Sequence, residues 1–138
     1  MRFRLGLFFL FLLVLSGCRT VEDPRALASN QISIEINENG CKPVELFVPN
    51  GEKIQVKINN QTLDDYTWYV LFFDLEGKFD PLDTDNIIAK FSAPAQSQTN
   101  DEFLSPQITA KYMTVCALDS NPDQVELINL LVVEPYEK

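Results

Sequence analysis

The chain has 138 residues, with 20 acidic side chains against 11 basic ones and no histidine, so its formal net charge is −9. That length allows one domain with a single substantial core. The negative balance excludes nucleic acid as a partner, and the missing imidazole excludes histidine-dependent triads and the HExxH zinc site.

The chain opens on Arg2 and Arg4, followed by LGLFFLFLLVL from Leu5 to Leu15. This apolar run is too short for a settled membrane span, which needs ~20 residues. It closes on LSGC, Leu15 to Cys18. A charged start, an apolar run, small residues and then cysteine resemble a bacterial lipobox. Residues 1–17 are therefore expected to be a lipoprotein signal peptide, with Cys18 carrying the lipid; the alternative is an ordinary secretory signal. In either case the chain leaves the cytosol. The expected location is the bacterial cell envelope, lipid-anchored and facing the periplasm or the exterior. The lipid, not charge, would hold the protein at a membrane, because an acidic surface is repelled by anionic head groups. Arg19 after the lipid cysteine, in place of aspartate, slightly favours an outer-membrane or surface position.

Residues 18–30 are polar and contain Pro24, and they read as a tether. The domain is expected over 31–138. QISIEIN alternates Ile32, Ile34 and Ile36 with polar residues, the period of a half-buried strand, and KIQVKIN repeats it with Ile54, Val56 and Ile58. Between them ELFVPNGE offers a short extended piece and a turn at Pro49-Asn50-Gly51, so the pair reads as a hairpin ending at Asn59-Asn60-Gln61.

TWYVLFFD, Thr67 to Asp74, is apolar on both faces. It is expected to be a strand covered on both sides, or one with a face at an interface. The chain then turns acidic and irregular through LEGKFDPLDTDN. IIAKF reads as a short edge strand and SAPAQSQTNDEF as loop with a possible strand. Ile108 to Asp119 and Val125 to Glu134 are the last two strands. Helical period is confined to weak hints near Pro81 and Pro122. Seven or eight short strands with turn signals between them predict an all-β sandwich.

With Cys18 assigned to lipid, Cys41 and Cys116 remain. An even pair in an exported domain is read first as a disulfide. The alternative is a thiolate site, for which the chain lacks both a histidine base and imidazole co-ligands. No GxSxG, CxxC or phosphate-binding glycine loop occurs. The protein is expected not to be an enzyme and to need no cofactor, with a hard cation the one exception. Asp74, Glu76, Asp80, Asp83 and Asp85 are the candidate ligands for such a cation, which takes six or more oxygens. The competing reading is a solvated acidic loop.

Two segments carry a family resemblance: NGCKPVELFVPNGEKIQVKINN, and APAQSQTNDEFLSPQITAKYMTVCALDSNPDQVELINLLVVE. Cys-x-Pro, then Leu-x-Val-Pro-x-Gly, then a strand ending in asparagine is similar to the start of cupredoxin-like domains. The late Tyr-x-x-x-Cys, Tyr112 to Cys116, resembles their ligand-loop region. Within that superfamily the chain looks most like the histidine-poor domain of periplasmic iron-uptake lipoproteins. The resemblance implies a Greek-key β-sandwich of about eight strands with Cys41 and Cys116 facing each other as a bridge. It implies no type 1 copper site, which takes two histidines and a free thiolate. In the iron-uptake relatives acidic residues flank the middle-strand tryptophan; Thr67 and Tyr69 stand at those positions around Trp68 here. The function expected from all this is a lipid-anchored, disulfide-bridged binding or interaction module. The alternative is a metal-handling accessory lipoprotein for iron, copper or calcium. The expected partners are the membrane, through the anchor, and a protein or metal ion.

Overall fold

The computed structural model describes residues 23–75 and 77–135. The leader, Cys18 and Glu76 lie outside the described residues. Among the described residues nine strands follow one short helix, α1 (Pro24–Leu27): β1 (Gln31–Asn37), β2 (Gly40–Lys42), β3 (Glu45–Pro49), β4 (Lys53–Asn60), β5 (Tyr66–Leu71), β6 (Ile87–Ala93), β7 (Ser97–Leu104), β8 (Ala110–Leu118) and β9 (Asn121–Val133). They form a four-stranded sheet in the order β2-β1-β4-β7 and a five-stranded sheet in the order β3-β9-β8-β5-β6. The architecture is an all-β sandwich of two sheets. No described helix is long and apolar enough to cross a membrane.

Alternation in sequence becomes alternation in burial. Ile32, Ile34 and Ile36 of β1, with Ile54, Val56 and Ile58 of β4, point between the sheets, while their polar neighbours face outward. From the other sheet they meet Trp68, Val70, Phe91, Ile128, Leu130 and Val132. Trp68 stacks on Phe91 at a centroid separation of 5.4 Å and meets Phe103 edge-on at 6.3 Å. Its indole N–H donates to Thr114 Oγ1 at 2.8 Å, and the Thr114 hydroxyl donates onward to the Ile128 carbonyl at 3.1 Å. The two fully buried polar groups therefore satisfy each other, which removes the cost of desolvating them.

Three expectations are corrected. The turn at Pro49–Gly51 does not close a hairpin, because β3 pairs in parallel with β9 whereas β4 lies in the other sheet between β1 and β7. The turn carries the chain from one sheet to the other. The run TWYVLFFD ends as a strand at Leu71, so Phe72 and Phe73 are exposed rather than paired in a sheet. Neither Pro81 nor Pro122 starts a helix: Pro81 sits in a turn and Pro122 near the beginning of β9. The described helix is α1, capped by the Asp23 side chain, and Ser29 then donates its backbone N–H to the Phe47 carbonyl at the edge of the sandwich.

The strand β5 is covered on both faces, the first of the two arrangements its composition allowed. Trp68 and Val70 face the inter-sheet core. Tyr69 and Leu71 face the other way and join Val115, Ala117 and Phe79 in a second, smaller cluster. Phe79 comes from the acidic segment after β5, which therefore lies over the outer face of the five-stranded sheet.

Candidate functional site

The first candidate is the pair of cysteines. Cys41 belongs to β2, at the edge of the four-stranded sheet, and Cys116 to β8, near the middle of the five-stranded one. Their sulfurs are bonded, with the Cα atoms 6.5 Å apart, and both residues are buried. The bridge therefore ties one sheet to the other through the core. Cys116 stands opposite Trp68 in the β5–β8 register, so the aromatic cluster sits beside it.

Around this bridge a carboxylate acts from an unexpected direction. The backbone N–H of Cys41 donates to Glu126 Oε2 at 2.7 Å, and Glu126 pairs with Cys116 across the β8–β9 ladder. Gly40 precedes Cys41 with φ +96°, and the Glu126 carboxylate occupies the space a Cβ at that position would need. Glycine is required there twice over, by the backbone angle and by the close approach. Nothing in the local sequence marks Glu126; only the register of two distant strands brings it to Gly40.

Thr67 and Tyr69, the positions flanking the tryptophan, are not carboxylates. Alternation along β5 sends both away from the core, yet Thr67 Oγ1 donates to Asp119 Oδ1 at 2.8 Å while the Tyr69 ring packs on Phe79 at 4.8 Å. Burial pushes the Tyr69 phenol above its ordinary value; a side-chain hydrogen bond with Thr67 opposes this, and the negative Asp119 adds to the rise.

A type 1 copper centre does not fit this donor set. It takes two imidazoles and one free thiolate. The chain contains no histidine, and the Cys116 sulfur is already bonded to Cys41.

The second candidate is the acidic segment. Its neck is fastened by Asn86. The Asn86 side chain accepts from the Phe73 N–H at 2.7 Å and donates to the Phe73 carbonyl at 3.3 Å, while the Phe72 N–H donates to the Asn86 carbonyl at 2.9 Å. The Asp80 side chain accepts from the Leu82 N–H at 2.9 Å, shaping the bend at Pro81. Lys78 reaches Asp123, at the start of β9, at 2.8 Å. Phe79 is the plug: it is 6 % exposed, whereas the residues around it are mostly solvated. The result is a compact loop whose own side chains pack it down.

Inside the loop lies a depression of about 320 Å³. Its apolar lining comes from Leu71, Phe73, Leu75, Phe79 and Ile87. Asp74, Asp80, Asp83 and Asp85, four of the five candidate cation ligands, line the same depression. The structure thus brings them to one hollow. Among the described residues, however, no three carboxylates, cysteines or histidines come together closely enough to hold a metal ion. The sequence showed the acidic residues but not the apolar floor, because Phe79 and Leu75 stand singly in a polar stretch.

A family model described as Cupredoxin-like domain matches residues 6–105. Solved structures share the fold. Dithionite-reduced auracyanin from Roseiflexus castenholzii is 18% identical with a TM-score of 0.60, covering 77% of this chain and 98% of that one. Auracyanin A, a "blue" copper protein from Chloroflexus aurantiacus, is 17% identical with a TM-score of 0.59, covering 75% and 98%. Rusticyanin from Thiobacillus ferrooxidans is 13% identical with a TM-score of 0.53, covering 77% and 79%. At such identities the likeness concerns the fold. None of the curated proteins matches the chain.

Proposed function

Because the chain belongs to the cupredoxin-like domain family, we propose that it is a member that binds partners instead of carrying type 1 copper, held in the bacterial cell envelope by a lipid on Cys18. The observation that carries this reading is the Cys41–Cys116 bond in a chain without histidine. The sulfur that a copper site would need is used to join the two sheets. What remains for function is surface, and fold alone does not assign it. The leader LSGC supports the anchor, and the tether gives the domain room to meet another protein. The placement of the domain in the periplasm or at the cell exterior rests on the same leader, whereas a kinship with the histidine-poor iron-uptake lipoproteins rests on the early Cys-x-Pro at Cys41 and the late Cys116.

A second reading has its own observation. Asp74, Asp80, Asp83 and Asp85 share one hollow, so a hard cation delivered to an uptake partner is an alternative role. Calorimetric titration with Ca²⁺ and with Fe²⁺ separates the two. Stoichiometric binding lost in a quadruple Asp→Asn variant favours cation handling, and no heat of binding favours the interaction module.

The main reading is tested on the exported protein. Alkylation under denaturing, non-reducing conditions should label neither Cys41 nor Cys116. The wild type should partition with membranes and carry a lipid mass, and Cys18→Ala should lose both. Two labelled cysteines, or unchanged partitioning of Cys18→Ala, would overturn it.

A further inference from the structure

We propose that the hollow beneath the 72–86 loop is the docking site for a protein partner, and that the partner inserts a segment in which lysine or arginine stands beside apolar side chains. This deepens the interaction-module reading and rests on it. The floor is apolar, from Leu71, Leu75, Phe79 and Ile87, and Phe73 continues it outward at 71 % exposure. Phe72 adjoins it at 52 % exposure, its ring 6.3 Å from that of Phe73. Two neighbouring phenylalanines left in water beside an apolar hollow form the kind of patch that marks an interface. The volume of about 320 Å³ is at the small end for a binding cleft and suits one or two side chains.

The rim chooses the occupant. Among the described residues Asp74, Asp83 and Asp85 have no ion pair, and Lys78, which also lines the hollow, is held by Asp123. A second copy of this chain brings a net charge of −9 against the same rim and is repelled. An anionic lipid surface and nucleic acid are repelled for the same reason. Among the described residues a bare metal ion finds no three carboxylates drawn together. A cationic, partly apolar protein segment satisfies both floor and rim, and the rim would steer its approach.

The test uses the full chain in phosphatidylcholine nanodiscs, with empty nanodiscs as blank. Fluorescence anisotropy reads the binding of a short labelled peptide alternating lysine and leucine. Peptides alternating lysine with serine, and glutamate with leucine, are the controls. The lysine–leucine peptide should bind, with affinity falling as salt rises, and both controls should bind at least about tenfold more weakly. The triple variant Asp74→Asn, Asp83→Asn, Asp85→Asn should weaken binding about tenfold. Phe73→Ser should do likewise without changing the thermal melt, because the Phe73 side chain is mostly in solvent. A triple variant of equal charge change elsewhere, Glu45→Gln, Asp64→Asn, Asp101→Asn, should leave affinity within about twofold. The proposal is overturned if that control variant is as damaging as the loop variant, if lysine–serine binds as well as lysine–leucine, or if no peptide binds. In each of those cases the reading of a copper-free, lipid-anchored module stands, since it is judged by thiol state and partitioning.

Discussion

The Cys41 N–H and the Glu126 carboxylate meet at 2.7 Å although 85 residues separate them in the chain. The contact joins β2, in one sheet, to β9, in the other, within a residue of the disulfide. It satisfies an edge-strand donor that has turned toward the core and closes the sandwich beside the bridge. Glu126→Ala should therefore cost about 1 kcal/mol, with Glu126→Gln nearly neutral because its amide oxygen still accepts. Gly40→Ala should cost more, about 1–3 kcal/mol, since it combines a strained backbone angle with a clash against that carboxylate. In the Glu126→Ala background the clash disappears and only the backbone term remains, so the two changes should be less damaging together than their sum. Urea unfolding of the four proteins measures this coupling; strict additivity would show that the carboxylate does not occupy the space beside Gly40.

The bridge between Cys41 and Cys116 spans 75 residues and encloses β3 through β7. Chain-entropy accounting gives about 4 kcal/mol for a loop of this length. Cys41→Ala, Cys116→Ala and the double variant should each lose a similar amount, because one bond is broken in every case. Denaturation midpoints under oxidising conditions provide the comparison. A double variant markedly less stable than either single one would mean that the thiols contribute separately.

Phe79 holds the acidic loop onto the outer face of β5. Phe79→Ala should cost about 3 kcal/mol of the loop's attachment, and amide exchange should show the loss over 72–86 while β1 and β4 keep their protection. The same variant should change the alkaline behaviour. The Tyr69 phenol is raised above its ordinary value of 10.0, chiefly by burial. A raised phenol contributes stability that is fully present below the ordinary value and is lost as pH rises through the folded-state value. Uncovering Tyr69 should bring its titration back toward the ordinary range, and ultraviolet difference titration reads this directly. An unchanged tyrosine titration would show that Phe79 does not shield it.

Much of this architecture is legible in the residues. Ile32, Ile34 and Ile36, and Ile54, Val56 and Ile58, alternate because each strand has one wet face, and that period survives in sequence. The doubly apolar β5 signalled either a cover on both sides or a face at an interface, and the structure has the cover. What covers it was not legible, because Phe79 and Leu75 are isolated in an acidic stretch and act only once the loop folds back. The turn Pro49-Asn50-Gly51 looked like a hairpin because turn chemistry fixes a reversal locally; which strand lies alongside is decided by the sheets. Phe72 and Phe73 prolonged the apolar run past the end of the strand because composition does not record where pairing stops. Two cysteines in a chain whose leader reads as an export signal suggested their own bond, whereas Glu126 depended on register and left no signal. Of the candidate site, the carboxylates were visible and the hollow they surround was not.

The sulfur of Cys116 ties the two sheets together and so is not available to a metal. Titration of the oxidised, full-length protein with Cu(II), followed by visible absorption, tests it most directly. No intense thiolate-to-copper band should appear at any ratio, because the chain offers neither a free core thiolate nor imidazole. A stable blue or green species at one copper per chain would contradict it.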